Sequence, residues 1–276
     1  MKCSPLVQKN GPSCYDHATL HHIRDLWNKR HPDTPITNDD DVDVWNELRQ
    51  HLQSVCSNEK CWYRQEFSGD PHLKKILPYT FLPDAPQTWK KNPKQWLTST
   101  DIAKVMRQYE RKHDNFRFIG PSPIDFDDTD EDGEGCVWDD LCHYNTAKHL
   151  QDGVDKVGVV FNLDPHYKKG SHWISLFIDY NRKFILFFDS AGDKMPRRVE
   201  KFVKAVESQS KAQGLPLKEY VNDVSHQWGK SECGIYCLYM ITSMLENGST
   251  PKKFMGKRIS DSFIANQRKH FFNLPE

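Results

Sequence analysis

The sequence predicts an α+β fold: a central mixed sheet wrapped around one buried helix, preceded by a small helical module. Three observations carry this. Val157–Leu163, Trp173–Asp179 and Lys183–Asp189 are short apolar runs of strand length. The first and third are almost continuously apolar, as strands covered on both faces are. Gly234 to about Glu246 is apolar nearly all round, the pattern of a helix at the centre of a core. Residues 13–67, in contrast, place apolar residues at helical spacing.

In chain order, Thr19-Leu20, Ile23 and Leu26-Trp27 set one helical stripe, and Val42, Val44-Trp45, Leu48 and Leu52 set a second. The Pro- and Asp-rich stretch His31–Asp41 breaks them apart. Residues 68–95, punctuated by Pro71, Pro78, Pro83, Pro86 and Pro93, read as loop and as the boundary between a module of residues 1–85 and a main domain of residues 86–276. Thr100–Glu110 reads as an amphipathic helix with Thr100 or Asp101 as its cap. The acidic stretch Asp125–Glu134 lacks the register of a calcium loop and reads as a solvated, mobile loop. Only Tyr180-Asn181-Arg182 separates the second and third strands, which makes them a hairpin. Pro196 then opens an amphipathic helix over Arg197–Gln213, closed by Gly214, and a short strand falls near Lys218–Asn222.

Composition narrows the function. The 276 residues are 37% hydrophobic and 28% charged, which suits a globular protein and excludes global disorder. No apolar run reaches the roughly 20 residues of a membrane-spanning helix, and Met1-Lys2-Cys3-Ser4-Pro5 opens no hydrophobic signal core; neither a membrane partner nor secretion is expected. Lys and Arg equal Asp and Glu at 38 each, but residues 151–276 carry 19 against 14, so the back half is +5 and the front half −5. That split is too mild to signal nucleic-acid binding. Eight cysteines without a secretory leader suggest a reducing compartment, where thiols are inert, metal-bound or catalytic rather than paired.

Chemistry gathers at element ends. His172 precedes the second strand, Asp189 ends the third, and Cys233 opens the buried helix. A tight hairpin sets the start of one strand beside the end of the next, so His172 and Asp189 become neighbours, as a base and its orienting acid must be. A thiol at a helix N-terminus meets the positive end of the macrodipole and unpaired N–H groups, which favour the thiolate. Gly234 leaves adjacent backbone uncovered for a scissile carbonyl, and Gln227 offers a side-chain amide as second oxyanion donor. Each residue alone has a plainer reading: Asp189-Ser190-Ala191-Gly192 as a turn, His172 as a structural histidine, Cys233 as a small core hydrophobe.

His172-Trp173, Phe188-Asp189-Ser190 and Gln227 followed six positions on by Cys233-Gly234, in that order, resemble the cysteine proteases that include SUMO-specific and adenovirus proteases. Papain-like enzymes place the cysteine first. Phe188-Asp189-Ser190-Ala191-Gly192, His226-Gln227 with Ser231-Glu232-Cys233-Gly234, and Cys56-Ser57-Asn58-Glu59-Lys60-Cys61 narrow the resemblance to polyprotein-processing proteases of large cytoplasmic DNA viruses, the African swine fever virus type. Asp189 stands where some viral relatives carry Asn. The resemblance implies a papain-like core with a helical N-terminal arm, and a thiol endopeptidase needing no cofactor and no metal. Cys233 would be the nucleophile, His172 the general base and then acid, Asp189 the orienter and Gln227 the oxyanion donor. Cleavage after Gly-Gly needs a narrow tunnel, for which Trp173 is a candidate wall; Gly234 and Trp228 are the other substrate-binding candidates. The implied partner is a protein substrate, a viral structural polyprotein, and the implied setting is the viral factory in the host cytoplasm and the virion. A peptide or DNA activator is compatible with the chain, but no residue points to one.

Three other readings share the scaffold or discard the chemistry. A cellular isopeptidase of SUMO-like or ubiquitin-like modifiers, in cytoplasm or nucleus, keeps the same catalytic residues. An acetyltransferase needs a phosphate-cradling basic cluster that is not evident near Cys233, and a catalytically dead binding module conflicts with four competent residues at the four positions. Zinc held by Cys56, Cys61, Cys136, Cys142 and His143 is disfavoured by their loose spacing, which leaves Cys56 and Cys61 as helix-flanking packing. Cys237, one turn after Cys233, reads as core packing that faces the same way.

Overall fold

A computed structural model describes residues 1–8, 11–129, 133, 135–246 and 248–275. Contacts divide the chain into two units, Met1–Asp84 and Ala85–Glu276.

The first unit is helical, and its helix starts follow from side-chain caps. Asp16 caps α1 (His17–Arg30), Asp40 caps α2 (Asp41–Leu52), Asn58 caps α3 (Glu59–Gln65) and Asp70 caps α4 (Pro71–Thr80). Each accepts an otherwise orphaned N–H of the first turn. Leu20, Ile23, Val44, Leu48, Leu52 and Trp62 form the unit's core, so both apolar stripes of the sequence face inward. α4 corrects the expectation of a loop over residues 68–95. Pro71 sits at the first helical position, where a missing N–H costs nothing, and Pro78 falls in the last turns.

The second unit opens with a 3₁₀ turn at Gln87–Lys90 and α5 (Ser99–Lys112). The cap of α5 is Thr98, not Thr100 or Asp101: Thr98 and Asp101 exchange hydrogen bonds in a capping box. β1 (Phe116–Pro123), α6 (Asp139–Cys142), α7 (Thr146–Gln151), β2 (Lys156–Asn162), β3 (Trp173–Asp179), β4 (Phe184–Phe188), α8 (Arg197–Ala212), β5 (Lys218–Val221), α9 (Cys233–Glu246) and α10 (Asp261–Phe271) follow. The sheet runs β1-β2-β3-β4-β5, with the outer pairs parallel and the inner pairs antiparallel. It is thus the expected mixed sheet of an α+β fold. β1 escaped the sequence reading because Gly120, Pro121 and Pro123 weaken a strand signal, and prolines are tolerated on an edge strand.

Strand residues alternate between two cores, as the two-residue period requires. Val160, Trp173, Phe177, Phe184, Leu186 and Phe188 pack with α5, α9 and α10, whereas Val159, Phe161, Ile174, Leu176, Ile185 and Phe187 pack with α8. Both faces being covered explains the continuous apolar runs. α9 is buried over most of its length, as its all-round hydrophobicity predicted.

Two further expectations are corrected. Six cysteines are paired, as Cys3–Cys14, Cys56–Cys61 and Cys136–Cys142, leaving Cys233 and Cys237 free. Cα separations of 5.2, 5.5 and 6.3 Å lie within disulfide reach; packing of reduced thiols is not what the fold shows. The acidic stretch is also tied down at its start. Buried Asp125 accepts the backbone and Nδ1 hydrogens of His166 at 2.9 and 2.8 Å. Asp127 and Asp128 pair with Arg198 on α8. Asp130–Asp132 and Glu134, the remainder of that expected loop, lie outside the described residues.

Candidate active site

The β3–β4 register performs the juxtaposition read from the hairpin. Ser175 lies opposite Phe188; one further step sets Asp189 opposite Ile174, two residues from His172 and on the same side of the pleat. Diagonal neighbours of this kind are within reach of each other's side chains. His172 Nε2 lies 2.6 Å from Asp189 Oδ1, a charge-assisted distance.

Asp189 is only 2% exposed and heavily held. Its Oδ1 also accepts the N–H of Ala191 at 2.9 Å, so the turn reading of Asp189–Gly192 and the acid reading are both true of the same residues. The turn closes through Gly192 N–H to Asp189 O at 2.9 Å. Gly192 has φ +80° and stands where a Cβ would meet Ser225 N at 2.8 Å, so no other residue fits. Asn222, fully buried, accepts the Asp189 N–H at 2.7 Å and donates to Asp189 O at 2.8 Å and Val224 O at 3.1 Å. Sequence reasoning missed it; its only local signal is an amide placed just after a strand.

The third member comes from α9. Cys233, at its first position, is near enough to the His172 ring to act on its charge. Burial works against charge on this ring, but the hydrogen bond to Asp189, and the negative charges of Asp189 and Cys233, raise its pKa from 6.5 to about 10. Cys233 is 1% exposed, so a reagent reaches sulfur only as neighbouring groups give way. Cys237 is fully enclosed, and burial pushes its thiol well above the ordinary value. It stays a protonated core thiol, near Cys233.

Gln227 sits on the segment after Asn222 that folds back over the Asp189 turn. Ser190 O accepts the N–H groups of His226 and Gln227 at 2.9 and 2.7 Å, and Ser190 Oγ donates to Gln227 Oε1 at 2.8 Å. Gln227 Nε2 donates to Gly229 O at 2.9 Å, leaving its second hydrogen without a partner among the described residues. His226 is structural: Nε2 donates to Phe254 O at 2.8 Å while Nδ1 accepts Ile259 N–H at 3.0 Å. Burial lowers its pKa and keeps it neutral. Asp261, at the start of α10, accepts the N–H groups of Trp228 and Gly229 at 3.0 and 3.1 Å.

The substrate-binding candidates separate. Trp173 is buried and its indole N–H donates to Leu97 O at 3.0 Å, tying the segment before α5 to the start of β3. Gly234 is not the open backbone expected of it. A Cβ there would meet Leu97 Cβ at 3.0 Å and its Cγ and Cδ1 at 3.2 Å, so the missing side chain makes room for Leu97. Trp228 is 75% exposed, with the Arg258 guanidinium 3.7 Å from its ring centre. For metals, the described residues hold two clusters with suitably grouped donor atoms, Cys136/Cys142/His143 and His17/His21/Asp41. Both sulfurs of the first are joined in a disulfide, and neither cluster includes a residue of the site.

Residues 142–273, which include all four positions, match the Ulp1 protease family, C-terminal catalytic domain. A protein of Acanthamoeba polyphaga mimivirus assigned as a thiol protease is 29% identical over 204 residues, covering 72% of this chain and 64% of its own length; the chain therefore spans somewhat less than two thirds of that relative. A cysteine protease of African swine fever virus is 26% identical over 262 residues, covering 87% of this chain and 93% of that protein. Another isolate's counterpart, named a SUMO-1 cysteine protease, matches to the same extent. In fold, the crystal structure of the African swine fever virus protease superposes with a TM-score of 0.69 at 19% identity, covering 100% of this chain and 96% of that one. Among the described residues no helix is long and apolar enough to cross a membrane. The sequence match and the thiol, imidazole and carboxylate gathered within it lead to one assignment: residues 142–273 match the catalytic domain of the Ulp1 protease family, the pattern of a cysteine protease.

Proposed function

We propose that the chain is a thiol endopeptidase that processes viral structural polyproteins, with Cys233 as nucleophile, His172 as general base and acid, Asp189 as orienter and Gln227 as oxyanion donor. The observation that carries this is the His172 ring held between Asp189 and Cys233. With a pKa near 10 the ring is an imidazolium at neutral pH, and its proton is the one the thiol gives up. The thiolate attacks the scissile carbonyl carbon, and the carbonyl oxygen takes up the electron pair as an oxyanion. The Cys233 N–H, unpaired at the start of α9, and the uncommitted hydrogen of Gln227 Nε2 are the donors suited to that oxygen. His172 gives its proton to the leaving amine as the C–N bond breaks, forming a thioester on Cys233. The neutral ring then takes a proton from water, whose oxygen attacks the thioester; the acid leaves and the thiolate–imidazolium pair is restored.

Cleavage after Gly-Gly is the specificity we assign, supported by the family resemblance and by Trp173 and Leu97 walling the segment beside Cys233. Residues 1–85 act as the arm of the enzyme and 86–276 as its protease core. Host-cell viral factories and the virion are the setting this implies. A second reading, deconjugation of a SUMO-like modifier, is favoured by the name of the African swine fever virus relative. Incubating the protein with a Gly-Gly peptide and with a SUMO C-terminal fluorogenic reporter separates the two. Cys233→Ala and His172→Ala each abolish turnover of whichever is cut while the circular dichroism spectrum is retained; activity surviving in either variant refutes the assignment.

A further inference from the structure

Among the described residues, two buried N–H donors without acceptors belong to neighbouring side chains in the second unit, Trp89 and Arg268. Arg268 on α10 is 5% exposed; its Nε and Nη2 donate to Glu232 Oε2 at 3.1 and 2.9 Å, but its Nη1 is buried with no partner. Its guanidinium lies 4.5 Å from the ring centre of Trp89, whose indole Nε1 is also buried and unpartnered. Unsatisfied buried donors cost on the order of 1–3 kcal/mol each, and more when charged, so a pair of them asks for an acceptor. Both side chains line one cavity of about 330 Å³.

We propose that this cavity binds a carboxylate, presented as an acidic side chain within an apolar peptide segment of a protein partner. The donors suit a carboxylate head group: the two hydrogens on Arg268 Nη1 and the one on Trp89 Nε1 can all be taken up by the four lone pairs of its two oxygens. Glu232 neutralises Arg268, so the attracting charge comes from Lys90 and Lys94 on the rim, and none of the cavity's described lining residues is acidic. Pro93, Leu274 and the Trp89 ring supply apolar walls that a bare inorganic anion leaves unused. The site requires no proteolysis and stands independently of the roles given to Cys233 and His172.

Calorimetric titration of the full chain with acetyl-Leu-Glu-Leu-amide, its Gln counterpart, sodium acetate and inorganic phosphate tests the site. The Glu peptide binds, and the Gln peptide binds at least about 10-fold more weakly, the loss expected of a charge-assisted pair. Trp89→Phe keeps the ring and removes one donor, weakening the Glu peptide by roughly 3–10-fold. Ala265→Leu, which adds bulk to the cavity wall, abolishes binding. Melting temperatures confirm that both variants are folded, and either one suffices. Equal binding of the Glu and Gln peptides, no binding of the Glu peptide, or binding unchanged in the folded variants overturns the proposal. Phosphate or acetate binding as tightly as the peptide overturns the assignment to a peptide segment.

Discussion

Replacing Asp189 with Asn preserves shape and an oxygen that accepts the Ala191 N–H, but removes the charge beside His172. Burial alone would hold the ring below its ordinary value; the bond to Asp189, seconded by Cys233, carries it from 6.5 to about 10. At about 1.36 kcal/mol per pH unit, that difference amounts to roughly 5 kcal/mol shared between Asp189 and Cys233. In Asp189→Asn the imidazolium therefore deprotonates at least ~1 unit lower, and the alkaline limb of kcat/KM for a fluorogenic Gly-Gly peptide moves down with it. Losing the orienter lowers kcat by roughly 10²–10⁴, as in comparable triads. Because the native state holds this proton more tightly than the unfolded chain, the associated stability is complete below pH 6.5 and lost as pH rises toward 10. Urea unfolding across that window should show wild-type stability falling with pH and the variant changing less. An alkaline limb and kcat unchanged in Asp189→Asn would refute the claim that this carboxylate sets the state of His172.

Asn222→Ala removes three hydrogen bonds, two of them buried, and leaves the Asp189 N–H unpaired and its carbonyl with only the Gly192 N–H; it should cost about 2–4 kcal/mol in chemical denaturation and lower kcat more than it raises KM. Gly234→Ala drives a methyl into Leu97 at 3.0 Å, destabilising by about 1–3 kcal/mol; a neutral melting temperature would contradict the packing described. Alkylation of the denatured, unreduced protein should label two cysteines, Cys233 and Cys237, and reduction should expose the other six to mass spectrometry; eight labels without reductant would disprove the pairing.

What could be read from sequence was whatever repeats locally. The β3–β4 hairpin and α9 announce themselves by apolar runs and a three-residue turn, and the His172–Asp189 contact follows from strand register alone. Elements whose signals conflict were hidden: β1 behind Gly120 and two prolines, α4 behind Pro71 and Pro78, and α10 behind a polar surface. Partners set by distant chain segments left no trace at all. Asn222 serves a backbone 33 residues away, Arg268 reaches Glu232 across 36, and Leu97 fills the space over Gly234. Gly234 was legible as a glycine with a purpose, but only the packing reveals which purpose.

The helix bearing Cys233 comes after all five strands in chain order. During synthesis the imidazole and its carboxylate emerge first, and sulfur joins them only when the sheet it lies against has already been made. A nascent chain thus holds the whole sheet before it holds the thiol that lies against it.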